Sequence, residues 1–224
     1  TADDEGNITI TTAQWSLVVD SASGEYDFTL LDNVLHDAVQ GENWALDAFS
    51  IALGVTVEDA DGDQVTDTVT LNVDVQDDIP VRTVAADDLT VEEDDLNNAN
   101  AVGNNEDGST DGHIAHGSLA DNFAFGADGA GASKVVSVSY DGTPYTADDE
   151  GNITITTAQW SLVVDSASGE YDFTLLDNVL HDGVQGENWA LDAFNIALGV
   201  TVEDADGDQV TDTVTLNVDV QDDI

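Results

Sequence analysis

Hydrophobic residues recur at every second position over long stretches of the chain; the period is two, not the 3.6 of an amphipathic helix. Phe194, Ile196, Leu198, Val200 and Val202 alternate with Asn195, Ala197, Gly199 and Thr201. Val210, Val214, Leu216, Val218 and Val220 continue the pattern, with Thr213, Thr215, Asn217 and Asp219 between them. Successive side chains of a strand point to opposite faces, so such alternation predicts two half-buried antiparallel strands. Shorter strands are predicted at 135–140, 152–156, 160–164 and 171–175, the last two joined as a hairpin through Asp165-Ser-Ala-Ser-Gly-Glu. Another is expected just before Glu92. The sum is an all-β fold, an antiparallel sandwich of about seven strands. Only 176–181 offers a turn or two of helix, and 97–111 reads as a loop that adds nothing to a core.

The pattern is written more than once. Thr1-Ala-Asp-Asp-Glu-Gly-Asn-Ile returns at Thr146, a period of 145 residues, and 1–79 match 146–224 except at Ala38/Gly183 and Ser50/Asn195. A period this long exceeds a solenoid unit and fits a whole domain used as a bead on a string. Pro80 cannot donate to a ladder and suits a strand exit, and the acidic stretch 87–95 suits a domain entrance. In this phase 80–224 is one complete repeat and 1–79 the C-terminal part of another, an incomplete sandwich without a counterpart of the strand predicted within 134–145. The chain has no methionine, and it reads as a piece of something longer.

Composition adds a constraint on partners. A hydrophobic share of 41% argues against disorder, yet 48 acidic residues face only Arg82 and Lys134, for a formal charge of -46. Nucleic acid and anionic membrane surfaces are repelled by such a field, which leaves metal cations, high salt or a basic partner as counter-charge. No run of 18 apolar residues suggests insertion into a bilayer, and TADDEGNITI is no signal peptide. With no cysteine, metal ligands must be hard oxygens, and a metal can replace disulfides as the staple of a protein outside the cell.

Calcium takes six to eight oxygens, commonly from Asp-x-Asp spacings with a glycine at the sharp turn. Asp204-Ala-Asp206-Gly-Asp208 has that chemistry, and Asp59, Asp61 and Asp63 repeat it. It is no EF-hand, because the glycine is fourth and no Glu closes a twelve-residue loop. Asp-Gly is also the commonest hairpin signal, so a solvated turn is the competing reading. Following the strands places Asp204–Asp208 and the pair Asp222, Asp223 at opposite poles of a repeat. An ion between repeats would then join Asp77 and Asp78 to Asp204, Asp206 or Asp208 of the successor. Glu92-Glu-Asp-Asp95, Asp107, Asp111 and Asp121, and Asp148-Asp-Glu150, most simply a turn tip, read as solvated surface at least as readily as metal sites. His113 and His116 have metal-like spacing only on a helix and are assigned to a surface loop, while His36 and His181 are expected to cap the short turn. No nucleophile elbow, zinc-protease or phosphate-cradling motif occurs, and acidic pairs are too common here to single out a glycosidase; an enzyme is not expected.

GSLADNFAFGADG, VVSVSYDGTPYTADDEGNITI, GEYDFTLLDNVLHD, GEN and VTVEDADGDQVTDTVTLNVDVQDDIP together resemble the tandem repeats of giant type I-secreted bacterial adhesins of the repeats-in-toxin group, which build biofilm and surface attachment. The resemblance covers nearly all of 80–224 and, as a partial copy, 1–79. It implies immunoglobulin-like sandwiches that bind calcium outside the cell, at the cell surface, and act as extenders. Their partners would be neighbouring repeats of the same chain, with a host or surface ligand bound elsewhere in the full protein. The family's motif falls on Asp59, Asp61, Asp63, Asp77, Asp78, Asp204, Asp206, Asp208, Asp222 and Asp223. The tail is also similar to the close of a cadherin repeat, without its Asn between the linker aspartates. The glycine-rich nonapeptides of repeats-in-toxin proteins are missing, which implies the repetitive middle of such an adhesin. Two alternatives are a carbohydrate- or ice-binding adhesion module and an acid-rich domain of a halophile protein; near-identical tandem copies favour the extender.

Overall fold

The computed structural model describes residues 3–34, 44–96, 112–180 and 189–222, with Asp192 described by its backbone alone. The protein is all-β with antiparallel sheets, and no α-helix occurs among the described residues. It forms two compact units, Thr1–Asp78 and Ile79–Ile224.

The first unit contains β1 (Asn7–Thr11), β2 (Trp15–Asp20), β3 (Tyr26–Leu30), β4 (Trp44–Glu58) and β5 (Gln64–Gln76). They form a β1-β2-β3 sheet and a separate β4-β5 ribbon. Alternation puts Trp15, Leu17 and Phe28 on one side of the sheet. Trp15 stacks on Phe28 at 5.9 Å between centroids, Phe49 of the ribbon closes on Phe28 at 6.0 Å, and Leu17 is fully buried.

The second unit contains β6 (Val81–Arg82), β7 (Ala86–Glu92), β8 (Ile114–Ser118), a 3-10 turn (Ala120–Asn122), β9 (Phe123–Ala124), β10 (Ala130–Tyr140), β11 (Thr143–Thr146), β12 (Asn152–Thr156), β13 (Trp160–Asp165), β14 (Glu170–Leu175), β15 (Trp189–Asp204) and β16 (Gln209–Gln221). One sheet runs β11-β10-β15-β16-β7 and the other β12-β13-β14-β8, while β6 and β9 make a short ribbon. Both sheets turn their apolar rows into one core. Val135, Leu198, Val200 and Leu216 come from the first, Ile153, Leu162, Phe173 and Leu175 from the second. Burying each such side chain contributes roughly 1.5–3 kcal/mol. Trp160 lies between Phe173, stacked at 5.9 Å, and Tyr140, edge-on at 5.1 Å. The β10–β11 hairpin turns on Asp141 and Gly142, both at positive φ (48° and 74°), as a two-residue turn matched to strand twist requires.

The structure departs from the sequence expectation in four places. β7 pairs in parallel with β16, Leu89 opposite Val218, so one edge of the larger sheet is not antiparallel. His113-Ile-Ala-His116 is no surface loop: β8 begins at Ile114 and sets His116 opposite Asp172 of β14, Nδ1 to Oδ1 2.6 Å. Residues 176–180 make no helical turn; Leu176 N–H donates to Gln159 O at 2.7 Å and Val179 N–H to Glu93 Oε1. That last bond belongs to the fourth departure, for Glu93 is buried and Asp94 and Asp95 are half-buried, against the solvated-surface reading of that cluster. His36, His181, Asp107 and Asp111 lie outside the described residues. Asp148 does form a turn tip, its Oδ1 accepting from the N–H of Glu150 and Asn152.

Pairing of β15 with β16 runs from Glu203/Gln209 at one pole to Trp189/Gln221 at the other. The 13 residues of β16 separate these poles by roughly 40 Å, and the acidic loop Asp204–Asp208 lies at the first while Asp222 follows the second.

Candidate metal centre

Two long strands end where the chain needs a tight reversal, and Gly207 at φ 103° supplies the left-handed step. Asp204 organises the turn: its N–H donates to Asp208 O at 3.1 Å, and its Oδ1 accepts from the N–H of Gly207 at 3.1 Å and of Asp208 at 2.7 Å. These bonds use only one carboxylate oxygen and aim the rest of the side chain inward.

A second loop covers this one. Phe125-Gly-Ala-Asp-Gly129 leads into β10, where Ala130 pairs with Asp204 and Gly129 O accepts from Ala205 N–H at 3.1 Å. The approach requires glycine at 131, because a Cβ there would stand 2.5 Å from Asp204 O and 3.1 Å from Glu203 O. Under this cover Asp204 and Asp208 are only 1% and 2% exposed, and Asp206 is half-buried. Asp204, Asp206 and Asp208 each bring a carboxylate oxygen within 4.8 Å of the others, and Asp128 brings one within 4.8 Å of Asp206.

Asp204 Oδ2 and both carboxylate oxygens of Asp206 are shut off from solvent without a hydrogen-bond donor. Leaving buried acceptors unsatisfied is costly, and crowding anions among them more so. The strain appears as a pKa: burial, then the Asp206 carboxyl, then the charges of Asp206 and Asp208 push Asp204 from 3.8 up to about 7 despite the opposing hydrogen bond from Asp208. A divalent cation would answer all of these terms together. The donor set is all oxygen and drawn from several carboxylates, which suits calcium better than a softer metal.

The other predicted ligands fare differently. Asp59, Asp61 and Asp63 close the β4–β5 turn with two of the same bonds, Asp59 N–H to Asp63 O at 3.0 Å and Asp63 N–H to Asp59 Oδ1 at 2.9 Å, and their carboxylates also gather within 4.8 Å, but all three are exposed. Asp59 is held below the ordinary range, first by the hydrogen-bonded Asp61 side chain and then by the Asp63 N–H. Asp77 and Asp78 follow β5 at the end away from that turn, and Asp222 follows β16 likewise; Asp223 lies outside the described residues. Asp128 escaped sequence reasoning. Its signal was an Asp-Gly flanked by glycines at 126 and 131, a loop able to pass close to another backbone.

No family model matches the chain, and no curated protein matches it. No helix among the described residues is long and apolar enough to cross a membrane.

Proposed function

We propose that this chain is a calcium-binding extender from a bacterial cell-surface adhesin, built of immunoglobulin-like repeats that calcium stiffens so as to hold a distal ligand-binding region away from the cell. One observation carries the reading: Asp204, Asp206 and Asp208, with Asp128 beside them, gather their carboxylates, and within that cluster Asp204 Oδ2 and both carboxylate oxygens of Asp206 are buried with no hydrogen-bond donor. In a solvated turn these oxygens would face water. The near-identity of the two copies supports a spacer, which needs one junction many times over and no individual recognition surface. Two opposed sheets around a single core support the immunoglobulin-like description. Only Gln76, Asp77, Asp78, Ile79 and Pro80 separate the last valine of one copy's final strand from Val81, leaving little slack for a hinge.

Calorimetric titration of calcium into chelator-stripped protein tests the metal; saturable binding with a rise in Tm is expected. Molar potassium chloride restoring stability as fully as millimolar calcium would instead select the halophile reading. Small-angle scattering on three or four tandem repeats tests the mechanics. An extended, narrow particle in calcium that shortens or bends in EGTA is expected, and equal maximum dimensions in both would refute the extender.

A further inference from the structure

Only two lysine or arginine residues stand against 48 acidic ones, and one of them, Arg82, lies at the entrance of the second unit. Residues 81–85 belong to neither large sheet, yet they are held from two sides. On one side Val81 and Arg82 pair with Ala124 and Phe123, and Asn122 O accepts from the N–H of Thr83 at 2.7 Å and of Val84 at 3.2 Å. On the other the Arg82 side chain reaches β16, where Nη1 donates to Thr213 O at 2.5 Å and Nε lies 3.3 Å from Asp212 Oδ2. The parallel pairing of β7 with β16 begins at Ala86/Thr215, with Thr215 N–H donating to Ala85 O at 2.9 Å. Thr213 therefore stands beyond the end of that ladder, and its carbonyl takes a guanidinium N–H in place of a strand amide. Asp212 is set for the same contact: its Oδ1 accepts from Thr213 N–H at 2.7 Å, and its Oδ2 faces Arg82.

We propose that Arg82 is a clasp, a positioning residue that extends the grip of β16 past the end of the β7 ladder and fixes the direction in which the chain enters the repeat. Its purpose rests on the extender reading, since a rod is only as stiff as its least constrained stretch. β5 ends at Gln76 and β6 begins at Val81, so with the clasp closed only 77–80 lie outside a held segment. Arginine suits the task and lysine does not. A planar guanidinium aims separate N–H donors at a carbonyl and a carboxylate together, whereas an ammonium is a single point charge. The pair is half-exposed, its side chains 32% and 43% accessible, and an ion pair so placed adds little to global stability. The clasp acts instead on local opening of the entry segment.

The test is amide hydrogen exchange on the full chain in millimolar calcium, with Arg82→Gln and Arg82→Lys compared with the wild type. Arg82→Gln should speed exchange of the Thr83 and Val84 amides about tenfold, while the amides of β13 and β14 keep their rates and the urea midpoint stays unchanged. Arg82→Lys keeps the charge and loses the fork, so the same two amides should still exchange about threefold faster than in the wild type. Wild-type rates at Thr83 and Val84 in Arg82→Gln, acceleration spread evenly over the unit, or full rescue by Arg82→Lys would each overturn the clasp. Small-angle scattering on three or four tandem repeats in calcium reads the consequence. Arg82→Gln at the equivalent position of every repeat should shorten the maximum dimension toward its EGTA value, and an unchanged dimension overturns the positioning role. A wild-type array that fails to extend in calcium refutes the extender alone, because the exchange comparison within one repeat decides the clasp without it.

Discussion

Asp59 and Asp204 occupy the same place in the repeat, make the same turn and titrate in opposite directions. Asp59, in the open, is held low by its hydrogen-bonded neighbours; Asp204, covered, is pushed up to about 7 by lost water and crowded carboxylates. The difference does not lie in the motif, which is letter-identical. It lies in Asp128, Gly129 and Gly131, which only the second unit places over the turn. The same holds for the core, where identical valines are exposed on β4 and buried on β15. An acidic turn thus becomes a candidate ion cage by virtue of what packs on it.

The largest contrast should come from twin substitutions in that core. Val202→Asp buries a carboxyl at a position with no exposure and should cost the second unit about 3 kcal/mol or more, whereas Val57→Asp should stay within about 0.5 kcal/mol. Urea midpoints of the two variants measure this directly. Equal losses would mean that the first unit is covered in solution.

Next in size is the metal. If calcium stands about 100-fold above its Kd, it adds about 2.7 kcal/mol to the folded state. Asp204→Asn, Asp206→Asn and Asp208→Asn together should abolish that increment and lower the bound calcium, with the sheets intact by circular dichroism. The matching changes at Asp59, Asp61 and Asp63 should leave the increment in place. Unchanged stoichiometry in the first triple variant would return the loop to a solvated turn.

The raised pKa of Asp204 gives the same contrast a pH signature. Without metal, the folded state keeps a proton on Asp204 that the unfolded chain releases near 3.8. Its contribution to stability is therefore complete below about 3.8 and lost as pH rises through about 7. In EGTA the Tm should fall over this window, and Asp204→Asn should flatten part of the fall. Calcium must displace that proton, so its affinity should rise with pH over the same range. A pH-independent affinity between 4 and 7 would contradict the shared role of proton and ion.

Much of this was legible in the alternation alone. Strands β12, β13, β14, β15 and β16 stand at the predicted places because a period of two across Val, Ile, Thr and Phe has one physical solution when one face is buried. The acidic turn was legible as chemistry. What escaped depended on partners distant in sequence. Ala86–Glu92 could be read as a strand, but its parallel pairing with β16 rests on a contact over more than a hundred residues. His116 belongs to a strand because β14 accepts it, and nothing local to HIAH says so. Asp128 counts only because Gly131 lets two backbones meet.

The smallest contrast concerns one hydroxyl. Tyr171 O–H donates to Asp87 Oδ2 at 3.1 Å while Asn122 Nδ2 holds Oδ1 at 3.0 Å, and Gly117 leaves the room that the ring fills. Burial first, then the Asp87 carboxylate, hold the phenol far above its usual range, so it remains a donor at any ordinary pH. Tyr171→Phe should cost about 1 kcal/mol, the net worth of one such bond. Tyr26→Phe, at a position 56% exposed, should stay within about 0.5 kcal/mol. If both tyrosine variants prove neutral, the hydroxyl bond contributes nothing measurable.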